Sequence, residues 1–365
     1  MKILYVATIG GFMPFFKTLV KELIEDGNTV DFAANQTTSK VPTYFKEWGC
    51  NVYDISCSRS PFSFGNIKAI KEIRELAKNY DIVHCHTPLA GMATRLACKK
   101  LRKKQGLKVI YTAHGFHFYK GAPKKNWILY YPIEKLCSRW TDVLITINKE
   151  DYELAKTKLK TKKIEYLPGV GLNIKQFTDC KIDKEQKRKE LNLPNEAFVV
   201  LSVGELNENK NHKVVIEALA QLNNSSIHYV IAGVGEKKDS LILLAKEVGV
   251  NLHVLGFRED VCEIYKASDV FVFPSFREGL GLAAIEALAS GLPLICSDNR
   301  GTREYQFDGV IVCDPHNSSE FATAIQRVLT DKANIMSAYN QDNLSIFDSH
   351  TINKHIKSLY SEVIL

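Results

Sequence analysis

Short apolar runs rich in valine and isoleucine alternate along this chain with segments whose apolar residues recur every three to four positions. The short runs read as buried strands, and the 3.6-residue period reads as helices with one apolar face. Seven strands are predicted in the first half, at Ile3–Ala7, Thr29–Ala33, Asn51–Ile55, Ile82–Cys85, Lys108–Thr112, Val143–Ile147 and Ile164–Leu167. Six follow, at Phe198–Val203, His228–Ala232, Leu252–Leu255, Val270–Pro274, Leu294–Ser297 and Val310–Cys313. Helices fit between most of them, for example Phe15–Glu25, Ile67–Lys78, Lys213–Leu222 and Ser240–Glu247. Strand–helix alternation makes a parallel sheet covered by helices on both faces. The pattern runs twice, so the predicted fold class is α/β with two doubly wound parallel-sheet domains.

The break falls at Leu167-Pro-Gly-Val-Gly-Leu172, where proline and two glycines interrupt any regular element. The domains are therefore placed at 1–170 and 171–346, with a hinge at Pro168-Gly169. In the final segment, 347–365, the spacing of Ile352, Ile356, Leu359, Tyr360, Val363 and Ile364 suits an amphipathic helix.

Composition narrows the class. An apolar share of 45% and a charged share of 24% are those of a globular protein. The nine cysteines form no C-x-x-C pair, which fits reduced, buried thiols better than a disulfide framework. No apolar run approaches the ~20 residues needed to span a bilayer, and the N-terminus opens directly on a strand, without the pattern of a signal peptide. A soluble protein, or one resting on a membrane surface, is expected. The net charge of +7 conceals an asymmetry: residues 1–170 carry 28 Lys+Arg against 15 Asp+Glu, whereas the remainder carries 20 against 26. Such a split points to an anionic partner for the first half.

The most informative stretch is Phe273-Pro-Ser-Phe-Arg-Glu-Gly-Leu-Gly-Leu-Ala-Ala-Ile-Glu-Ala-Leu-Ala-Ser-Gly-Leu-Pro293. A strand ends at its start, a loop holds Gly279 and Gly281, and a helix begins near Leu280–Ala283. Glycines at a helix N-terminus let backbone amides approach a phosphate, and the helix dipole adds partial positive charge there. Glu278 precedes this turn and Glu286 follows it. Carboxylates beside a diphosphate gain nothing by touching it, so they must accept hydrogen bonds from hydroxyls on either side. That assigns one to a sugar and the other to a ribose.

Glutamate, seven residues and a second glutamate, inside F-P-S-x-x-E-G-x-G-x-x-x-x-E-A-x-A-x-G-x-P, resembles the signature of glycosyltransferase family 4. The resemblance extends over nearly the whole chain. It implies two Rossmann-like domains facing a cleft (the GT-B fold), a terminal helix packed back on the first domain, and a retaining transfer. It also implies that Glu278 holds donor-sugar hydroxyls, that amides near Leu280, Gly281 and Leu282 hold the phosphates, and that Glu286 holds the ribose. The loop Val203-Gly-Glu-Leu-Asn-Glu-Asn-Lys-Asn-His212 keeps the family's lysine as Lys210, after Gly204, but has Glu205 where the family often has arginine. A carboxylate there must point away from phosphate or pair with a base. Arg258, in Gly256-Phe-Arg-Glu-Asp260, resembles part of the loop that cradles the nucleotide.

In the first domain, Gly10 and Gly11 follow the opening strand and suit close backbone approach to a donor, although a tight turn would use the same residues. His114, in Thr112-Ala-His-Gly-Phe-His-Phe-Tyr119, matches a family histidine that contacts the donor sugar. His117, Phe118, Tyr119, Lys124, Lys125 and Trp127 mix aromatic and basic character, which suits an acceptor or membrane face; ordinary core packing of these aromatics is the alternative. His84-Cys85-His86 lacks further ligands at zinc spacing and is read as a strand end lining the cleft.

The motifs T-A-H-G-F-H-F-Y and V-G-E-L-N-x-N-K-N-H further resemble bacterial exopolysaccharide and capsule transferases. This implies a UDP-sugar donor, a lipid-linked (undecaprenyl-diphosphate) saccharide acceptor, and a cytoplasmic location, peripheral on the anionic inner face of the cell membrane. His114, Glu278 and Lys210 are the expected catalytic residues. No metal, cofactor or nucleic acid is expected. A non-catalytic transferase-like partner subunit and a UDP-sugar epimerase are the alternatives.

Overall fold

The structure is a computed structural model that describes residues 1–338 and 340–365. The chain forms two compact units, Met1–Gly171 with Ser349–Leu365, and Leu172–Asp348.

The first unit holds β1 (Lys2–Ile9), β2 (Thr29–Asn35), β3 (Val52–Asp54), β4 (Ile82–His86), β5 (Lys108–Ala113), β6 (Val143–Thr146) and β7 (Lys163–Tyr166). All pair in parallel, in the order β3-β2-β1-β4-β5-β6-β7. Alternation along β1 shows how its sequence builds two layers. Leu4 and Val6 join a core with the helices Gly65–Ala77 and Pro88–Gln105, while Ile3, Tyr5 and Ala7 join one with Lys17–Glu25 and Ser349–Ile364. Successive side chains of a strand point to opposite faces, so a strand buried on both sides must be apolar throughout.

The terminal helix, Ser349–Ile364, lies on the second of these layers, burying Ile352, Ile356, Leu359 and Tyr360. Each such burial contributes about 1.5–3 kcal/mol. Asn353 donates to Glu22 at 2.7 Å, and Lys357 pairs with Glu22 and Asp26 at 3.0 and 3.1 Å. The helix starts two residues later than the 347–365 reading, and Phe347 and Asp348 belong to the second unit.

The second unit holds β8 (Phe198–Val203), β9 (Ile227–Ala232), β10 (Asn251–Gly256), β11 (Val270–Phe273), β12 (Leu294–Ser297) and β13 (Ile311–Cys313). Their order is β10-β9-β8-β11-β12-β13, again parallel. One layer of its core is formed by the helices His212–Leu222 and Ser318–Ala338 against Val200, Tyr229, Val272 and Ile295.

All thirteen predicted strands are present, with ends shifted by a residue or two. The predicted helix Phe15–Glu25 is the clearest difference. A 3-10 segment, Gly10–Phe16, precedes the α-helix Lys17–Glu25. Pro14 lies in that segment, and its missing N–H and fixed φ are tolerated in a short tight turn better than in a helix interior.

Candidate functional site

In each sheet the strand order reverses once, between β1 and β4 and between β8 and β11. Open α/β sheets bind ligands outside the carboxyl ends of the strands at such a point. In the second unit, the loops leaving β8 and β11 carry Gly204–Lys210 and Pro274–Gly281.

These two loops are stitched together by backbone-directed bonds. Phe276 N–H donates to the Asn209 carbonyl at 2.9 Å, Asn209 Nδ2 donates to the Arg277 carbonyl at 2.9 Å, and Asn211 Nδ2 donates to the Pro274 carbonyl at 3.2 Å. The stitching brings Lys210 Nζ to 2.7 Å from Glu278 Oε1, with both side chains largely shielded from water. Lys210 Nζ also stands 4.9 Å from the centre of the Phe273 ring. Lys210 is thus neither a solvated lysine nor a lone cation: it and Glu278 form a charge pair at the switch point. Glu205 is exposed and accepts from Asn207 Nδ2 at 2.8 Å, so its carboxylate is engaged locally.

Beyond Glu278 the chain turns through Gly279 and Leu280 to Gly281, which opens the helix Leu282–Ala289 with φ +90°. A Cβ at Gly281 would lie 2.6 Å from Phe273 Cε1 and 2.9 Å from Tyr305 Oη, so conformation and space both require glycine. No side chain caps this helix, so its first N–H groups are the kind of donors an anion can use. Glu286, one turn in, accepts from Tyr265 Oη at 2.9 Å. Burial pushes its pKa up, and the Tyr265 hydrogen bond opposes that rise.

Sequence reasoning missed the braces. Asn299 Nδ2 donates to the Ser275 carbonyl at 3.0 Å, while its Oδ1 accepts from the Gly301 and Thr302 amides. Gly301 packs so closely on Glu278 that a Cβ there would lie 2.8 Å from Glu278 Cβ. The buried Arg300 directs Nε to the Glu278 carbonyl at 3.4 Å. An asparagine and a glycine just past a strand end were the available signal. Tyr265, in the helix Val261–Ala267, gave none. Arg258 lies with this unit but grips Asp260 through Nε and Nη2 at 2.8 and 2.6 Å. Two of its donor nitrogens are thus held by a carboxylate of its own loop.

In the first unit, the switch point gathers histidines. His84 and His86 are almost wholly buried, which corrects the reading of both as lining residues. His84 bonds to Thr112 Oγ1 at 2.8 Å and to Tyr360 Oη at 2.5 Å, and Tyr360 contacts Tyr5 Oη at 2.7 Å. His86 Nδ1 lies 3.2 Å from His114 Nε2, and Phe12 meets the His114 ring edge-on at 4.8 Å. Burial holds all three imidazoles neutral, with His84 lowered to about 3 and His114 to about 4. Gly10 and Gly11 lie against the chain at Ser39–Val41: a Cβ on Gly10 would be 2.4 Å from Val41 N, and one on Gly11 would be 2.1 Å from Ser39 Oγ. Close approach of backbone to backbone explains Gly10 without a ligand.

The expected aromatic face is divided. Lys124 and Lys125 are exposed. Phe118 is only 2% exposed and packs with Phe116, Trp127 and Tyr131, as the core-packing alternative had it, while its ring also lines a cavity of this unit. Trp127 is half-buried, donating Nε1–H to the carbonyl of the half-buried Tyr119. The apolar surface is made instead by Phe62, Ile128, Leu129, Ile133 and Leu136. The His117 and Tyr130 rings lie 4.6 Å apart, tilted by 31°. Among the described residues no cluster of three or more His, Cys, Asp or Glu could hold a metal ion, and no helix is long and apolar enough to cross a membrane.

Comparison with known proteins accords with this arrangement. Residues 9–169 match the family described as Glycosyltransferase Family 4, and residues 183–343 match Glycosyl transferases group 1. The chain is 41% identical over 320 residues to EpsD of Bacillus subtilis (strain 168), a protein named as a glycosyltransferase, covering 84% of this chain and 81% of that one. It is 32% identical, over 82% of each chain, to the UDP-Gal:alpha-D-GlcNAc-diphosphoundecaprenol alpha-1,3-galactosyltransferase of Escherichia coli. In fold it resembles Anabaena Alr3699/HepE, solved in complex with UDP, with a TM-score of 0.82 at 20% identity over 99% of this chain and all of that one. Two doubly wound units, the glutamate-flanked glycine turn and these relatives together establish that the chain belongs to glycosyltransferase family 4, with the GT-B fold.

Proposed function

We propose that this protein is a retaining glycosyltransferase that moves a hexosyl or N-acetylhexosaminyl group from a UDP-sugar to an undecaprenyl-diphosphate-linked saccharide. The Lys210–Glu278 pair beside the uncapped Leu282–Ala289 helix is the observation that carries the reading. A nucleoside diphosphate entering there offers Lys210 a second anion and leaves Glu278 to accept bonds from sugar hydroxyls. Amides at Leu280–Leu282 meet the phosphates, and Glu286, held by Tyr265, accepts from ribose hydroxyls. Preorganised donors of this kind stabilise charge as it develops on a leaving group. The sugar–phosphate bond breaks, the acceptor hydroxyl oxygen bonds to the anomeric carbon on the same face, and its proton passes to the departing phosphate. No metal is assigned to this step. His114 contributes an uncharged imidazole.

The acceptor and the setting rest on different support. The Escherichia coli relative and a Campylobacter jejuni relative, 28% identical over 63% of each chain, are named for transfer to diphospho-undecaprenol lipids. The setting in exopolysaccharide or capsule synthesis rests on the T-A-H-G-F-H-F-Y and V-G-E-L-N-x-N-K-N-H motifs. The basic first unit, with exposed Lys124 and Lys125 beside exposed Ile128 and Leu129, suits peripheral contact with an anionic membrane from the cytoplasmic side. Incubation with a panel of UDP-sugars and a lipid-linked acceptor should release UDP and give a product whose anomeric configuration, read by NMR, matches the donor. Release of UDP without transfer, or inversion at the anomeric carbon, would refute it.

A further inference from the structure

Two cavities lie side by side at the switch point of the first unit. One, of about 280 Å³, is lined by Thr8, Phe12, Arg59, Thr87, His117 and Tyr130, among others. The other, of about 340 Å³, is lined by Phe62, Met92, Phe116, Leu129 and Ile133, with Glu134. They share Pro61, Pro88, Leu89, His117 and Tyr130, so they are continuous.

Their chemistry differs. In the larger cavity the only acid is Glu134, buried and gripped by both terminal nitrogens of the buried Arg95, whose guanidinium stacks 4.1 Å over Tyr111. That charge is cancelled, and the remaining wall is almost entirely apolar. Its rim is apolar too: Phe62 is 89% exposed, Leu129 55% and Ile133 45%. Apolar side chains held in water favour an apolar occupant that would cover them. A sugar or a nucleotide would leave hydroxyls unpaired on such a wall.

The smaller cavity carries the polar groups. Arg59 is exposed and, among the described residues, has no acidic partner. Thr87 adopts φ 65°, a strained conformation for a β-branched residue, and this places its hydroxyl 2.7 Å from that of Thr8. Thr87 Oγ1 also donates to the His86 carbonyl and accepts from the Thr8 N–H, so the cavity's anion-binding group is the Arg59 guanidinium, which lines it with those hydroxyls. Lys124 and Lys125 are exposed on the helix whose end, Leu129, forms the rim.

We propose that the joined cavities hold one amphiphile: the diphosphate of a polyprenyl-diphosphate lies against Arg59, Thr8 and Thr87, and its first isoprene units fill the space between Phe62, Met92, Leu129 and Ile133. The inference rests on the lipid-linked acceptor proposed above and assigns it a position on this chain. The cationic side and the apolar side occur in the order that such a lipid demands.

Calorimetric titration of the full chain with farnesyl diphosphate, against inorganic diphosphate and farnesol as separate halves, tests it. Farnesyl diphosphate should bind at least tenfold tighter than either half. Ile133→Glu and Arg59→Ala should each weaken it at least tenfold while leaving UDP binding unchanged, which reports an intact fold. Farnesyl diphosphate binding no tighter than inorganic diphosphate, or unaffected by Ile133→Glu, overturns the inference. The function fails separately: a chain that transfers sugar to a lipid-linked acceptor with an unchanged KM in Ile133→Glu keeps the proposed reaction and loses this site, whereas no turnover with any UDP-sugar removes the reaction itself.

Discussion

The two units reverse their sheets at equivalent places, beside the first and fourth strands of each, yet they gather opposite chemistry there. In the second unit the loops hold a charge pair, a glycine (Gly281) whose φ and surroundings leave no room for a Cβ, and an uncapped helix start. In the first unit the same location holds buried neutral histidines and an apolar cavity. A shared topology therefore sets where a ligand goes and leaves its chemistry to the loops. One surface suits a hydroxylated anion, the other an amphiphile.

The largest effect that would break this contrast is at Glu278. Glu278→Ala should lower sugar transfer by roughly 10²–10³-fold, the range for losing one preorganised polar contact, with UDP release as the readout and circular dichroism confirming that the chain remains folded. A variant as active as the native chain would remove the second unit's charge pair from the chemistry.

Gly281→Ala comes next. Its Cβ must displace Phe273 or Tyr305 while adopting φ +90°, so urea unfolding should show a loss of about 1–3 kcal/mol, and UDP affinity should fall at least tenfold. Unchanged stability would mean that the turn relaxes freely and that its glycine is not structural.

The histidines sharpen the other side. Their folded pKa values lie below the ordinary one, so the unfolded chain binds more protons as pH falls below about 6.5. The stability they permit is present above that pH and is lost on acidification. His84, lowered to about 3, should by itself cost about 2 kcal/mol between pH 6.5 and 5. His84→Gln, compared with the native chain by urea unfolding at those two pH values, should lose correspondingly less. Equal losses would show that His84 does not remain neutral.

Much of this was legible beforehand for reasons that are local. A strand covered on both faces must be apolar throughout, so β1, β4, β8 and β11 stood out as runs. The Glu278–Glu286 spacing, two glycines and a strand–helix junction lie within a single stretch and could be read together. Phe118 was left between two readings because an aromatic beside lysines looks the same in sequence whether it turns toward the core or toward solvent. The Arg258–Asp260 pair, two residues apart, is a local contact that the sequence reading did not consider.

By itself the sequence determined the thirteen strands, the division into two units and the glycine turn between two glutamates, since periodicity and backbone freedom are properties of neighbouring residues. Only the tertiary structure decided that Lys210 meets Glu278, that Asn299 and Gly301 brace that glutamate, that Arg95 silences Glu134, and that Arg59 stands beside an apolar cavity. Those partners are brought together by the order of strands within each sheet. Strand order follows from how whole layers pack, which no local pattern encodes.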